Sequence, residues 1–112
     1  MAVRMDKPWV ALTPENVRKL AAHLGVYQLG NADGDILYIG VAGGRSLFGI
    51  KGELERIVEQ APPGATHFRH EVTMAYRTRH IELLQAYVND HGGLPAANTD
   101  VDISSLGRLR PG

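Results

Sequence analysis

The chain contains no cysteine, and this absence excludes several classes of site at once. Without thiols there is no disulfide framework, no thiolate zinc site and no cysteine nucleophile. Long apolar runs are also missing, because the longest, from about Ile36 to Gly44, is far too short to cross a bilayer. The N-terminal residues lack the apolar stretch of a signal peptide. We therefore expect a cytoplasmic protein that does not associate with membranes.

An excess of charge of either sign is missing too. Twelve basic and twelve acidic side chains give a formal net charge of zero, whereas proteins that bind nucleic acid usually carry a basic excess. The charges are nevertheless unevenly distributed, since residues 67–80 are locally basic and acidic residues gather between positions 53 and 59. The sequence therefore predicts one basic and one acidic face, which permits binding to a polyanion.

The first strong local signal is a helix start at Thr13-Pro14-Glu15. Threonine is a good N-cap, proline suits the first helical position, and a glutamate there is favourable to the helix dipole. Apolar residues follow with the spacing of a core-facing stripe, at Val17, Leu20, Ala21 and Leu24. This pattern predicts a helix that ends at Gly25 in a left-handed C-cap.

A β-hairpin is predicted next, from Val26 to about Val41, with a two-residue turn at Asp33-Gly34. This turn sets a register in which Leu29 pairs with Tyr38 and Tyr27 pairs with Gly40. Residues paired in this way share a face of the sheet. Tyr27 and Tyr38 should therefore project from the same side as diagonal neighbours, roughly 7–8 Å apart.

The remaining pattern predicts a helix over residues 46–60, a third strand over 67–75, a helix over 78–91 and an irregular segment afterwards. The predicted fold is of the α/β (α+β) class, with an N-terminal helix before a β-β-α-β-α core whose small three-stranded sheet is flanked by helices. All of residues 1–112 form one domain. We divide it into an N-terminal extension and helix (1–24), a core (25–98) and an irregular C-terminal tail (99–112).

Two tripeptides on this hairpin, Gly25-Val26-Tyr27 and Tyr38-Ile39-Gly40, resemble the signature of the GIY-YIG nuclease domain. In that family a metal-binding glutamate lies in the helix after the third strand, where this chain has Glu82. An asparagine follows, often in a Pro-x-x-Asn context, and this chain has Pro95-Ala96-Ala97-Asn98. The resemblance covers residues 25–98, about two thirds of the chain.

The resemblance implies a metal-dependent endonuclease that hydrolyses DNA phosphodiester bonds with one Mg²⁺ or Mn²⁺ held by Glu82. Tyr27 would be the general base and Tyr38 would assist it, while Asn98 would position the site. A phosphate-binding cation completes the family pattern, and either Arg45 or Lys51 could supply it; Arg45 has the guanidinium fork that suits phosphate. Gly40 and Arg79 are further candidates for contact with the substrate.

Other interpretations remain open at this point. The tyrosines could be ordinary half-buried strand residues, Asn98 a turn residue, and Glu82 a solvated carboxylate paired with Thr78 or Arg79. The main alternative function is a catalytically weak or inactive domain of this fold that binds nucleic acid or a protein without cleaving it. A third is a small structural or interaction protein. A nuclease of this size could need a homodimer or an unlinked partner for targeting.

Overall fold

The computed structural model describes residues 4–98, and within that range the chain forms an antiparallel sheet of four strands with three helices. The strands are β1 (Val10–Ala11), β2 (Gly25–Gly30), β3 (Ile36–Ala42) and β4 (His67–Val72). The helices are α1 (Pro14–Arg18), α2 (Gly49–Glu59) and α3 (Tyr76–His91). The strand order is β1-β4-β2-β3, so β2 is central and β3 is an edge strand. The fold is therefore α+β; the tail predicted for 99–112 lies outside the described residues.

The predicted count of three strands is wrong by one, because the short β1 adds to the sheet. It pairs with β4 through Val10 opposite Phe68 and Ala11 opposite His67. A strand of two residues is too short to show an alternating pattern. The other elements from α2 onward begin and end within three residues of their predicted bounds.

Helix α1 starts where the sequence predicted but ends early. Thr13 caps it, since its hydroxyl accepts a hydrogen bond from the Asn16 amide at 3.2 Å, and Pro14 is the first helical residue. The helix then stops at Arg18, so Gly25 is not its C-cap. Gly25 is instead the first residue of β2, where a Cβ atom would lie 2.1 Å from the Glu71 carbonyl oxygen. The predicted left-handed conformation is wrong, and close packing of strands explains this glycine.

The hairpin has the predicted register but a longer turn. Gly34, not Asp33, has the left-handed conformation, and its amide donates to the Asn31 carbonyl at 3.1 Å. The Asn31 side chain also accepts from the amides of Asp33 and Asp35, each at 3.0 Å. The loop therefore holds three residues, a common hairpin solution, and the two-residue turn is wrong. A bulge between Leu29 and Gly30 absorbs the difference before the tyrosines are reached.

The sheet has an apolar core on each of its two faces. One core, which we call the phenol face because it contains Tyr27, lies under α1 and α2, and Tyr38 packs against it. Its buried members are Val17, Tyr27, Leu29, Ala42, Ile50, Leu54 and Phe68. The other, the α3 face, consists of Met5, Val26, Ile39, Leu83 and Leu84. Alternation along β2 and β3 thus separates the side chains that meet α2 from those that meet α3.

Candidate functional site

The two tyrosines lie together as the register predicted. Tyr27 is opposite Gly40 and Leu29 is opposite Tyr38, so both phenols project to the phenol face. Their ring centroids are 6.1 Å apart with an interplanar angle of 39°, which is a favourable distance for an aromatic pair. The predicted diagonal pairing of Tyr27 and Tyr38 is confirmed.

Gly40 is the partner that allows this pairing. A Cβ atom at Gly40 would lie 2.3 Å from Cζ of Tyr27, so the Tyr27 ring occupies the space above the glycine. Any side chain there would displace the ring. Packing against Tyr27 accounts for Gly40; contact of Gly40 with a substrate stays a prediction.

Tyr27 is deeply buried, with only 2% of its surface exposed. Its hydroxyl lies 3.5 Å from Oε1 of Glu53, a long hydrogen bond, and the same oxygen accepts from Arg56 at 2.7 Å. Burial raises the pKa of the Tyr27 phenol well above its ordinary value; Tyr38 and Glu53 raise it further, and Arg56 acts in the opposite direction. The phenol therefore keeps its proton at neutral pH. A general-base role would require a further positive charge that favours the phenolate, from a metal ion or from a cation such as Arg45.

Asn98 is also buried, and it binds the backbone of the YIG segment. Its Oδ1 accepts from the Ile39 amide at 2.8 Å, and its Nδ2 donates to the Ile39 carbonyl at 2.9 Å. Nε2 of His80 lies 3.2 Å from the same carbonyl. Because β3 is an edge strand, these backbone groups have no further strand to pair with. Asn98 thus holds the strand that carries Tyr38, and its role in positioning a catalytic site stays a prediction.

Glu82 does not lie beside the tyrosines. It is an exposed residue of α3, and its carboxylate accepts from Arg79 at 3.2 Å. Arg79 in turn donates to both oxygens of Glu71 on β4, at 2.9 and 3.2 Å. Glu71 is opposite Val26, so this cluster belongs to the α3 face. The sheet therefore separates Glu82 from the two phenols, and the alternative pairing with Arg79 is what the structure has.

Arg79 is used within the same cluster. Hydrogen bonds to Glu71, and then the charges of Glu71 and Glu82, raise the pKa of the Arg79 guanidinium, although burial opposes them. One arginine faces two carboxylates here, so the trio has a net negative charge. The two carboxylates make Arg79 a poor ligand for an anion. The predicted contact of Arg79 with a substrate therefore finds no support in the geometry.

Arg45 lies within the loop between β3 and α2, and Lys51 lies just after it. Arg45 is exposed in that loop, and Lys51 is half-buried in the first turn of α2. None of the ion pairs found among residues 4–98 involves either side chain. Tyr76, at the start of α3, holds the loop, since its hydroxyl accepts from the Gly44 amide at 3.1 Å. Both cations thus remain candidates for phosphate binding.

These arrangements do not fit a magnesium ion that serves the tyrosines from Glu82. Mg²⁺ can be held by a single carboxylate with waters and substrate oxygens. The Glu82 carboxylate, however, is bonded to a guanidinium and lies on the opposite face. Groups of three or more potential metal ligands are also missing among residues 4–98, although a one-carboxylate site would not need them.

The carboxylate that the structure brings to the phenols is Glu53, which the sequence interpretation did not select. It was counted only among the acidic residues between 53 and 59. Glu53 and Tyr27 are 26 residues apart in sequence, so no local pattern predicts that their side chains meet. The ion pair with Arg56 has the i, i+3 spacing of helical pairs, and this was the one signal available from sequence.

Comparison with known proteins identifies a family. A domain of unknown function, DUF7508, has a family model that matches residues 3–90. The chain belongs to this family. No curated protein matches the sequence significantly. The match includes β1 to β4 and nearly all of α3, but it ends before Asn98. Because the family description names no activity, function has to be argued from the geometry.

The helices are too short or too polar to span a bilayer in the part of the chain that the structure describes.

Proposed function

We propose that this domain binds DNA without cleaving it efficiently, as a GIY-YIG-like domain whose catalytic capacity is weak or absent. The observation that carries the proposal is the separation of Glu82 from Tyr27 and Tyr38 by the sheet. Hydrolysis of a phosphodiester needs charge stabilisation and a nucleophilic water at one place. A carboxylate on the α3 face cannot deliver a metal-bound water to phenols on the phenol face.

Binding is supported by the cations at the end of β3. Arg45 and Lys51 take part in no ion pair among the described residues, so their charges are available to a polyanion. Of the nearby acids, Glu53 is paired with Arg56, whereas Glu71 and Glu82 share Arg79 and keep one net negative charge on the α3 face. A local basic surface of this kind is compatible with a net charge of zero, because steering depends on the distribution of charge.

The second candidate is the metal-dependent endonuclease, using Mg²⁺ or Mn²⁺ and acting on DNA. The specific observation in its favour is the tyrosine pair, which packs over Gly40 while Asn98 fixes the neighbouring backbone. For this candidate to hold, Glu82 would have to leave Arg79 and reach the phenols. Arg45 or Lys51 would bind the scissile phosphate, and a homodimer or a separate partner would direct the domain to its target.

One experiment decides between these candidates. The protein is incubated with supercoiled plasmid and with branched DNA, with and without Mg²⁺ or Mn²⁺, and cutting and gel retardation are scored together. We expect retardation without cutting in every metal condition. Metal-dependent cutting that disappears in the Glu82→Ala variant would establish the endonuclease instead.

The matched control is Glu59→Ala, which removes an exposed carboxylate from the last turn of α2. Glu59→Ala should behave like the wild type in every assay. Equal loss of cutting in Glu82→Ala and Glu59→Ala would show that the effect is one of general charge. If the protein neither retards nor cuts DNA, both candidates are overturned, and the small structural or interaction protein remains.

A further inference from the structure

Three large apolar side chains are strongly exposed near the proposed DNA-binding cations. Leu47 and Phe48, which precede α2, are 79% and 71% exposed, and Met74, which follows β4, is 79% exposed. Single exposed apolar residues are common on protein surfaces. Two adjacent large ones, with a third in a neighbouring loop, call for an explanation.

These loops meet at one end of the sheet, which we call the Gly25 end because Gly25 pairs there with Ala42 and Val72. The segment before Gly25 ties both loops in place. The His23 carbonyl accepts from the Ile50 amide at 2.8 Å, and the Leu24 carbonyl accepts from the Thr73 amide at 3.1 Å. The loop with Leu47 and Phe48 and the loop with Met74 therefore lie at the same end of the molecule.

The backbone of Phe48 is strained. Its φ of 63° and ψ of 20° place it in the left-handed region, and among residues 4–98 it is the one non-glycine residue with a positive φ. The left-handed conformation is unfavourable for a residue with a bulky side chain. The ring does not recover this by burial, and no side-chain cap bond is made. Strain of this kind, fixed by the surrounding bonds, is typical of functional positions.

Three cations lie in the same loops as the exposed apolar residues or in the first helical turns after them. Arg45 precedes the Leu47-Phe48 pair by two residues, Lys51 follows it by three, and Arg77 is exposed in the first turn of α3. None of the three joins an ion pair within the described residues. A ligand that complements this surface must present both negative charge and flat apolar faces. Single-stranded nucleic acid does so, since its bases stack on aromatic side chains while its phosphates contact cations.

We propose that Phe48, with Leu47 beside it, is a stacking platform for unpaired bases of DNA, and that Arg45 and Lys51 hold the phosphates on either side. The Phe48 ring is exposed in the loop at this end of the sheet, where unpaired bases can reach it. Bases within an intact duplex are already stacked on one another and would not use the platform. This inference rests on the proposed DNA binding and specifies its substrate as DNA with exposed bases.

The test compares a short fluorescent single strand with the duplex of the same sequence by anisotropy. The wild type should bind the single strand about tenfold more tightly than the duplex. Phe48→Asn is the informative variant, because asparagine tolerates the left-handed backbone and lacks the ring. It should lose about tenfold in affinity for the single strand and little for the duplex. Phe48→Tyr, which keeps a ring, should retain wild-type affinity.

The outcomes separate this inference from the proposed function. Equal binding of single strand and duplex, or unchanged binding by Phe48→Asn, overturns the platform and leaves DNA binding intact. Absence of binding to either DNA overturns both. Vesicles of phosphatidylserine and phosphatidylcholine are tested alongside, and binding to them that is lost in Phe48→Asn, without binding to DNA, would assign the surface to anionic lipid instead.

Discussion

At the scale of single residues, Gly40 leaves no room for a side chain. A methyl group there would overlap the Tyr27 ring, which is itself fully packed under α2. We expect Gly40→Ala to lower the free energy of unfolding by about 2 kcal/mol, the typical cost of overpacking. Urea denaturation measures this. The control is Gly93→Ala, because nothing lies within 4 Å of a Cβ atom there and no positive φ is required. Equal midpoints for the two variants would contradict the proposed packing role.

Tyr27 gives a second prediction at this scale, concerning pH. Burial raises the pKa of Tyr27 in the folded protein, whereas in the unfolded chain the phenol titrates near pH 10. Above about pH 10 the unfolded state therefore loses a proton that the folded state keeps, and stability falls by about 1.4 kcal/mol per pH unit. Below that pH the phenol contributes no pH dependence. Tyr27→Phe should remove this part of the alkaline decline, as urea midpoints measured between about pH 9 and 11 would reveal. Parallel declines would contradict a buried, protonated Tyr27.

At the scale of elements, Arg79 links helix α3 to strand β4. The Arg79–Glu71 pair has two hydrogen bonds and side chains only 14% and 26% exposed, whereas Glu82 is 46% exposed and lies on the same helix as Arg79. We expect Glu71→Ala to cost about 1–2 kcal/mol of folding stability, and Glu82→Ala less than about 0.5 kcal/mol. Chemical denaturation of the two variants checks this order. The reverse order would mean that Glu82, not Glu71, is the main partner of Arg79.

Asn98 forms two hydrogen bonds with the backbone of Ile39 on the edge strand β3. The variant Asn98→Asp tests these two bonds. Aspartate can accept from the Ile39 amide, but only its protonated form can donate to the Ile39 carbonyl. The new carboxyl should thus have a raised pKa in the folded protein. Its hydrogen bonds are fully present below about pH 4 and are lost as pH rises through the folded-state value. We expect a deficit against wild type of about 2 kcal/mol at neutral pH that shrinks towards pH 4, measured by denaturation. A deficit independent of pH would contradict this bonding pattern.

The elements also define what the sequence could and could not reveal. Strong periodic signals located α2, β4 and α3. The hairpin register was predicted from a two-residue turn, and it holds although the loop has three residues, because the bulge between Leu29 and Gly30 offsets the extra one. The end of α1 was not predictable, because the apolar spacing through Leu24 suits a longer helix equally well. In the structure the carbonyls of His23 and Leu24 instead accept from Ile50 of α2 and from Thr73 after β4. Which sheet face α3 covers was also hidden. A helix pattern shows which side is apolar, but not which face of a sheet receives it, and the position of Glu82 depended on that choice.

At the scale of the whole molecule, a net charge of zero and the proposed binding of DNA agree only if few phosphates are contacted. Each phosphate neutralised on duplex DNA contributes about 0.9 to the slope of log affinity against log salt. Three cations at the Gly25 end, Arg45, Lys51 and Arg77, predict a slope near −2.7, much shallower than that of strongly basic proteins.

The prediction from this distribution is that changing Arg45 and Lys51 together to glutamine reduces the magnitude of the salt slope by about 1.8. The measurement is anisotropy with labelled duplex over a series of salt concentrations. Arg18→Gln is the control, because Arg18 is exposed and lies beside Val58 and Glu59 in the last turns of α2, away from the Gly25 end where α2 begins. It should leave the slope unchanged. If Arg18→Gln reduces the slope as much per charge as the double variant does, the binding is diffuse, and the Gly25 end is not the DNA-binding surface.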